Sequence, residues 1–279
     1  MKEVKKNNDY LNVFNNISEF LNYLETKPHK SGRDNASQER GNKSWNGTNS
    51  YKDAVELARY GDDELFEKLN SEIKKLNINS MLGNAKRRNV YFNDVYGFIP
   101  NVPNMMVNSP LTMINIKKDG LSQRVVNIFL NVRVSSWVDG DDVIKIGLKY
   151  LNVIDILEKR GYRCNLYSGV ANSSYGGKHC CLMVRVKTDR EPLNLKKICF
   201  TIANPAMQRR LKFKWMEVND GPDFTSGYGQ AESESYIKDL LSRELKDNFV
   251  IWNYESENKS KTIEQLVNDL KKDGIDIEL

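Results

Sequence analysis

The chain has 279 residues, 39% hydrophobic and 28% charged, with a net charge of +5 at neutral pH. That length can bury a substantial core, so folding requires neither disulfides nor a metal. No run approaches the ~18 consecutive apolar residues of a membrane-spanning helix, and the mild basicity permits nucleic-acid contact without demanding it.

Residues 1–26 read as an N-terminal helical arm. In residues 9–25, DYLNVFNNISEFLNYLE, the apolar residues Leu11, Phe14, Ile17, Phe20, Leu21 and Leu24 recur at helical spacing. Asp9 is placed as an N-cap and Pro28 follows where a stop is expected. The start MKEVKKNNDYLNVF is basic but lacks an apolar core, so no secretory leader is predicted and the expected location is cytoplasmic. Residues 27–43, KPHKSGRDNASQERGNK, hold almost nothing apolar and read as a polar linker. A tethered amphipathic helix must bury its stripe on its own domain, on a second copy or on a partner. The arm is therefore a candidate interaction element and a route to a homo-oligomer.

An α/β core domain is placed at residues 44–279. Ser50 and Asp53 form a predicted capping box, with Ala54, Val55, Leu57 and Ala58 on the inward face of the helix that follows. Gly61 ends that helix, and Asp62 caps the next, which carries Leu65, Leu69, Ile73 and Leu76. Trp45, just before, is expected to pack back as an anchor. Residues 89–118 contain three prolines, aromatic clusters and Met105, Met106 and Met113. They read as extended chain with a short strand near residues 113–116, wrapped across the core with the methionines filling gaps.

Residues 125–134 form a mostly buried strand, with Val126, Ile128, Leu130, Val132 and Val134 on one face. A helix follows over residues 141–160, then strands YRCNLY and CCLMVRVK. The second alternates Cys180, Leu182, Val184 and Val186 with Arg185 and Lys187, which suits an edge strand. Two helices, PLNLKKICFTIA and PAMQRRLKFKWMEV, break at Asn204-Pro205. A loop at 219–232, a helix at 233–245, a strand at 249–252, a helix at 262–272 and a short strand at 275–279 complete the chain. Alternating strands and helices predict an α/β fold with a three-layer, mostly parallel sheet.

Catalytic constellations are thin. The only histidines are His29 and His179, and His179 and Cys180 are adjacent in a strand, where neighbours point to opposite faces. Cys164, Cys180, Cys181 and Cys199 form no C-x-x-C pair and lie among apolar neighbours, so they read as reduced, buried thiols. Residues 168–179, SGVANSSYGGKH, miss the phosphate-loop spacing and read as a hairpin connection. No catalytic residue, metal ligand or cofactor is assigned, and an enzyme is the less favoured class.

The strongest charge feature is basic. Lys196, Lys197, Arg209, Arg210, Lys212 and Lys214 stand against one Glu between residues 193 and 217, with Phe213 and Trp215 beside them. Such a cluster, extended by Lys86, Arg87 and Arg88, binds phosphates and stacks bases if exposed. If its aromatics are core, it is a solvated helix face.

Ser44-Trp45-Asn46-Gly47-Thr48, Ser50-Tyr51 and Asp53-Ala54 resemble the signature of a family of uncharacterised, largely bacteriophage-encoded proteins. Gly97-Phe98-Ile99-Pro100-Asn101-Val102-Pro103, Pro110-Leu111-Thr112-Met113, Arg160-Gly161-Tyr162 and Pro205 with Arg209-Arg210 extend the resemblance over roughly residues 44–217. It implies a viral setting and the host cytoplasm, and it carries no activity. The element order is also similar to a von Willebrand A-type domain, whose D-x-S-x-S motif holds magnesium. Here Asn131, Arg133 and Ser135 stand at those places, and a guanidinium repels a cation that prefers carboxylate oxygens.

These observations lead to an expectation of a non-enzymatic, phage-encoded accessory protein associated with DNA in genome replication or handling. One alternative is a protein-binding inhibitor of a host anti-phage defence complex, acting through the arm. The other is a metal-dependent von Willebrand A-like module near residues 131–142.

Overall fold

The computed structural model describes residues 1–6, 8–30, 32–33, 35–39, 42–75, 89–118, 125–173, 177–221, 228, 230–254, 260–272 and 275. Its strands are β1 (Lys2–Lys6), β2 (Asp9–Phe14), β3 (Asn89–Asp94), β4 (Ile99–Pro100), β5 (Met113–Lys118), β6 (Val125–Asn131), β7 (Arg163–Ser173), β8 (His179–Lys187), β9 (Gln230–Ala231) and β10 (Phe249–Asn253). The main sheet runs β1-β2-β8-β7-β6-β10, with β9 paired to β7. Ladders β6–β7, β6–β10 and β2–β8 are parallel, while β1–β2 and β7–β8 are antiparallel. The expected α/β class is therefore the observed one.

The helices are α1 (Ile17–Thr26), α2 (Ala36–Glu39), α3 (Lys43–Asn46), α4 (Tyr51–Tyr60), α5 (Asp63–Lys75), α6 (Val102–Met106), α7 (Gly140–Lys159), α8 (Leu195–Ala203), α9 (Phe213–Val218), α10 (Glu234–Leu245) and α11 (Ile263–Lys272). Between α8 and α9 lies a π-helical segment, Met207–Lys212. Ile237, Leu240 and Leu241 of α10 cover one face of the main sheet against Leu11, Phe129, Cys181, Met183 and Ile251. The larger core lies on the other face, where α1, α4, α5, α7, α8, α9 and α11 pack over Phe14, Ile128, Leu130, Leu166 and Leu182. Helices on both faces of a sheet make the three layers.

The N-terminal arm is corrected. Residues 9–14 form a strand, not a helix, and pair with β8 in the register Asp9↔His179 to Phe14↔Val184. Tyr10 and Phe14 enter one core and Leu11 the other, the alternation of a strand covered on both sides. The helix starts later, capped by Asn16, whose side chain accepts from the Glu19 amide at 2.8 Å. Leu11, Phe14, Ile17, Phe20, Leu21 and Leu24 are all buried within this chain, so no stripe is left for a partner. With β2 in place, β8 is an interior strand and not an edge.

The polar linker is likewise part of the body among its described residues. Arg33 donates to the carbonyls of Met216, Asn219 and Gly221, and Lys30 pairs with Asp220 at 2.6 Å.

Local signals at the start of the core domain hold. Ser50 and Asp53 cap α4 reciprocally at 3.1 and 3.0 Å, and Asp62 accepts from the Leu65 amide at 3.0 Å to start α5. Gly47 has φ +80°, and a Cβ there would lie 2.2 Å from the Asn204 side-chain oxygen, so both backbone shape and space demand glycine.

Residues 89–118 do not wrap the core. They build a separate antiparallel sheet in the order β3-β5-β4, and none of their side chains enters either core cluster. The expected closing strand at 275–279 lies outside the described residues except for Ile275.

Candidate functional site

The six basic residues separate in the fold. Lys197 is exposed. Lys196 is held by Asp63 at 2.6 Å, and Lys214 is mostly covered, 4.0 Å from Glu217. Arg209, Arg210 and Lys212 are buried. They belong to the π-helical segment, which is enclosed around its circumference by α2, α3, α4 and β7. Lys86, Arg87 and Arg88 lie outside the described residues. The six therefore share no exposed face.

Each buried cation ends on backbone carbonyls. Arg209 donates to the carbonyls of Trp45 and Val138, and its guanidinium carbon lies 4.1 Å from the Trp45 ring centroid. Arg210 donates to Ser37 and Gln38 at 2.9 and 3.0 Å and to Asn49 at 3.3 Å. Lys212 donates to the Ser168 hydroxyl at 3.0 Å and the Gly169 carbonyl at 3.2 Å. Burial lowers the pKa of all three, and that of Lys212 well below the ordinary lysine value.

Glu217 completes this hub. It is buried and accepts from the Ser37 amide and the Tyr228 hydroxyl, each at 2.8 Å. Ser37 is thereby gripped from both sides, its carbonyl by Arg210 and its amide by Glu217. The hub fixes the described residues 37–39 and 42–49 onto the core, including the Ser44–Thr48 motif. Trp45 is the anchor expected, with its indole N–H donating to the Ser136 carbonyl at 3.0 Å. These groups are spent on the fold and cannot reach a phosphate. Ser37 and Glu217 carried no signal in the sequence. The burial of Arg209, Arg210 and Lys212 did, since Met207, Leu211, Phe213, Trp215 and Met216 spread around the helix and not along one stripe.

Chemistry elsewhere is also committed. Cys180 and Cys181 are buried, which raises both thiol pKa values, and burial pushes Cys164 up to about 12 and Cys199 to about 11. His179 faces Glu232 at 3.2 Å and stacks on Tyr236 with 4.2 Å between ring centroids. Asn131, at the place of a metal-holding Asp, accepts from the Ala171 amide at 3.1 Å and donates to Asn253 at 2.8 Å. Among the described residues, no group of three or more His, Cys, Asp or Glu side chains is placed to hold a metal ion. A cleft of about 680 Å³ runs between α3, α4, α5 and α7, lined by Asp53, Asp63, Glu64 and Asp141 with Lys43 and Lys68.

The described residues also expose an apolar surface. On the β3-β5-β4 sheet and its turn, Tyr91 is 62% exposed, Tyr96 69%, Met106 80% and Val107 74%, and Phe98, Ile99, Val102 and Met105 are also exposed. Residues 89–116 contain a single charged side chain, Asp94. Met105 and Met106 are thus surface residues and not core filler. Exposed apolar patches are a common feature of surfaces where proteins meet.

The chain is thus an α/β domain whose buried cations are paired internally and whose residues 89–116 expose apolar side chains. By sequence, residues 2–275 match the family described as a domain of unknown function, DUF7192, and the chain belongs to that family. No curated protein and no solved structure matches it.

Proposed function

We propose that this chain is a non-enzymatic binding protein that docks another protein through the apolar surface of residues 89–116. The carrying observation is the exposure of Tyr96, Phe98, Ile99, Met106 and Val107 within residues 89–116, a stretch with one charge, Asp94. A surface whose one charge is negative does not attract phosphates, whereas aromatic and Met side chains are favoured where proteins meet. In the viral setting that the signature resemblance implies, a host protein complex is the partner class. This places the inhibitor reading on the annex and not on the N-terminal residues. The DNA-associated reading then rests on net charge alone, because Arg209, Arg210 and Lys212 are occupied internally.

The test compares wild type with a Tyr96→Ser, Met106→Ser, Val107→Ser variant as bait in a nuclease-treated host lysate. The two proteins are first matched for thermal melting. A partner retained by wild type and lost by the variant supports the reading. Equal retention by both removes it, and salt-sensitive DNA binding by both proteins would return the DNA reading to first place.

A further inference from the structure

Among the described residues, two of the strands that end a sheet, β1 and β3, differ in how their edges are guarded. β1, at one end of the main sheet, reads KEVKK. Four of its five side chains are charged, and charges along an edge guard it against pairing with another chain. β3 has no such guard. It reads NVYFND and, among the described residues, is bonded only to β5.

The ladder shows which groups of β3 are unspent. The Ile114 carbonyl accepts from the Phe98 amide at 3.0 Å, so the polar groups of Ile114 face β4. Its β3 partner, Asn93, is therefore a non-hydrogen-bonded pair, and alternation makes Val90, Phe92 and Asp94 the residues that bond β5. The amides and carbonyls of Asn89, Tyr91 and Asn93 point out of the open edge.

We infer that β3 pairs antiparallel with β3 of a second copy about a two-fold axis at Tyr91. That register opposes Tyr91 to Tyr91, Asn89 to Asn93 and Val90 to Phe92, and sets no two charges against each other. It forms about six backbone hydrogen bonds, two for each facing pair. The Tyr91 and Phe98 rings already lie 6.4 Å apart, so the joined sheets carry a row of four aromatic rings across the axis. The interface is isologous and closes on itself. It doubles the apolar platform. The inference rests on the same exposed sheet as the function proposed above, but it fails separately.

The experiment is sedimentation of the full chain over a concentration series, with Tyr91→Lys, Tyr91→Glu and their equimolar mixture. Wild type is expected to be a dimer and each variant a monomer. The mixture should recover the dimer, because Lys now faces Glu across the axis. Wild type that stays monomeric at its solubility limit overturns the inference. So does a Tyr91→Lys protein that remains dimeric, or a mixture that does not reassociate. A monomer that still captures a partner removes the dimer only, and a dimer that captures none removes the partner reading only.

Discussion

Arg209 reaches Trp45 in two ways, with its guanidinium carbon 4.1 Å from the indole centroid and its Nη1 donating to the Trp45 carbonyl. One side chain thus holds both ends of an anchor residue separated from it by more than 160 positions.

Replacing Arg209 tests that hold. Arg209→Met keeps much of the length but leaves the Trp45 and Val138 carbonyls without this donor. The expected loss is about 3 kcal/mol, from the buried acceptors and the lost cation–ring contact. Arg209→Lys, which cannot serve both carbonyls, should lose about half of that. Urea denaturation followed by tryptophan fluorescence reads both. A midpoint shift near zero for Arg209→Met would show that residues 37–49 are held by something else.

Lys212 carries a pH signature. Its charged form is disfavoured in the fold, so above its lowered native pKa the unfolded chain binds more protons than the native one. Stability from this group therefore rises with pH, up to the ordinary lysine value near 10.4. The slope approaches about 1.4 kcal/mol per pH unit. Lys212→Met removes the slope and leaves its partners satisfied, since Ser168 still donates to the Thr201 carbonyl at 2.6 Å and Gly169 still accepts from Val132 at 3.0 Å. The variant should be the more stable protein near neutral pH, with the gap closing as pH rises. Parallel urea series across the alkaline range measure it, and two curves that stay parallel would show that burial does not lower the Lys212 pKa in the fold.

The thiols should be silent in the native state. All four are buried with raised pKa values, so the reactive thiolate is scarce. At pH 8 a thiol-exchange reagent should label none on the timescale that labels all four in guanidinium. Fast native labelling of Cys180 or Cys181 would mean that the β2–β8 region opens readily.

The N-terminal residues should behave as core. Leu11→Ala is expected to cost about 3 kcal/mol. Deleting residues 1–16 exposes the edge of β8 and should abolish cooperative unfolding. A truncated chain that melts like wild type would restore the detached-arm view.

Much of the fold was legible because local chemistry and tertiary demand agree. The Ser50–Asp53 box, the Asp62 cap, the alternation of β6 and the helix of residues 140–159 each follow from side-chain spacing. Residues 9–14 misled because Leu11, Phe14 and Ile17 satisfy a helical period across what is in fact a strand, a turn and a helix start. In an interior strand both faces are apolar, so alternation is lost and periodicity cannot separate the two. The basic cluster misled for a different reason. Charge count reports how many cations a segment holds, but not whether carbonyls elsewhere in the chain will accept their protons. Residues 89–118 misled because apolar content was equated with burial.

The pairing of β2 with β8 also has a consequence for biosynthesis. Asp9 and His179 sit side by side, yet about 170 residues separate them along the chain. While a ribosome is at work, the first of these segments leaves the tunnel long before the second exists. Tyr10, Leu11 and Phe14 must wait without their neighbours, and contacts of such separation form slowly. Nascent chains paused before residue 179 should therefore be the ones that chaperones hold and proteases cut.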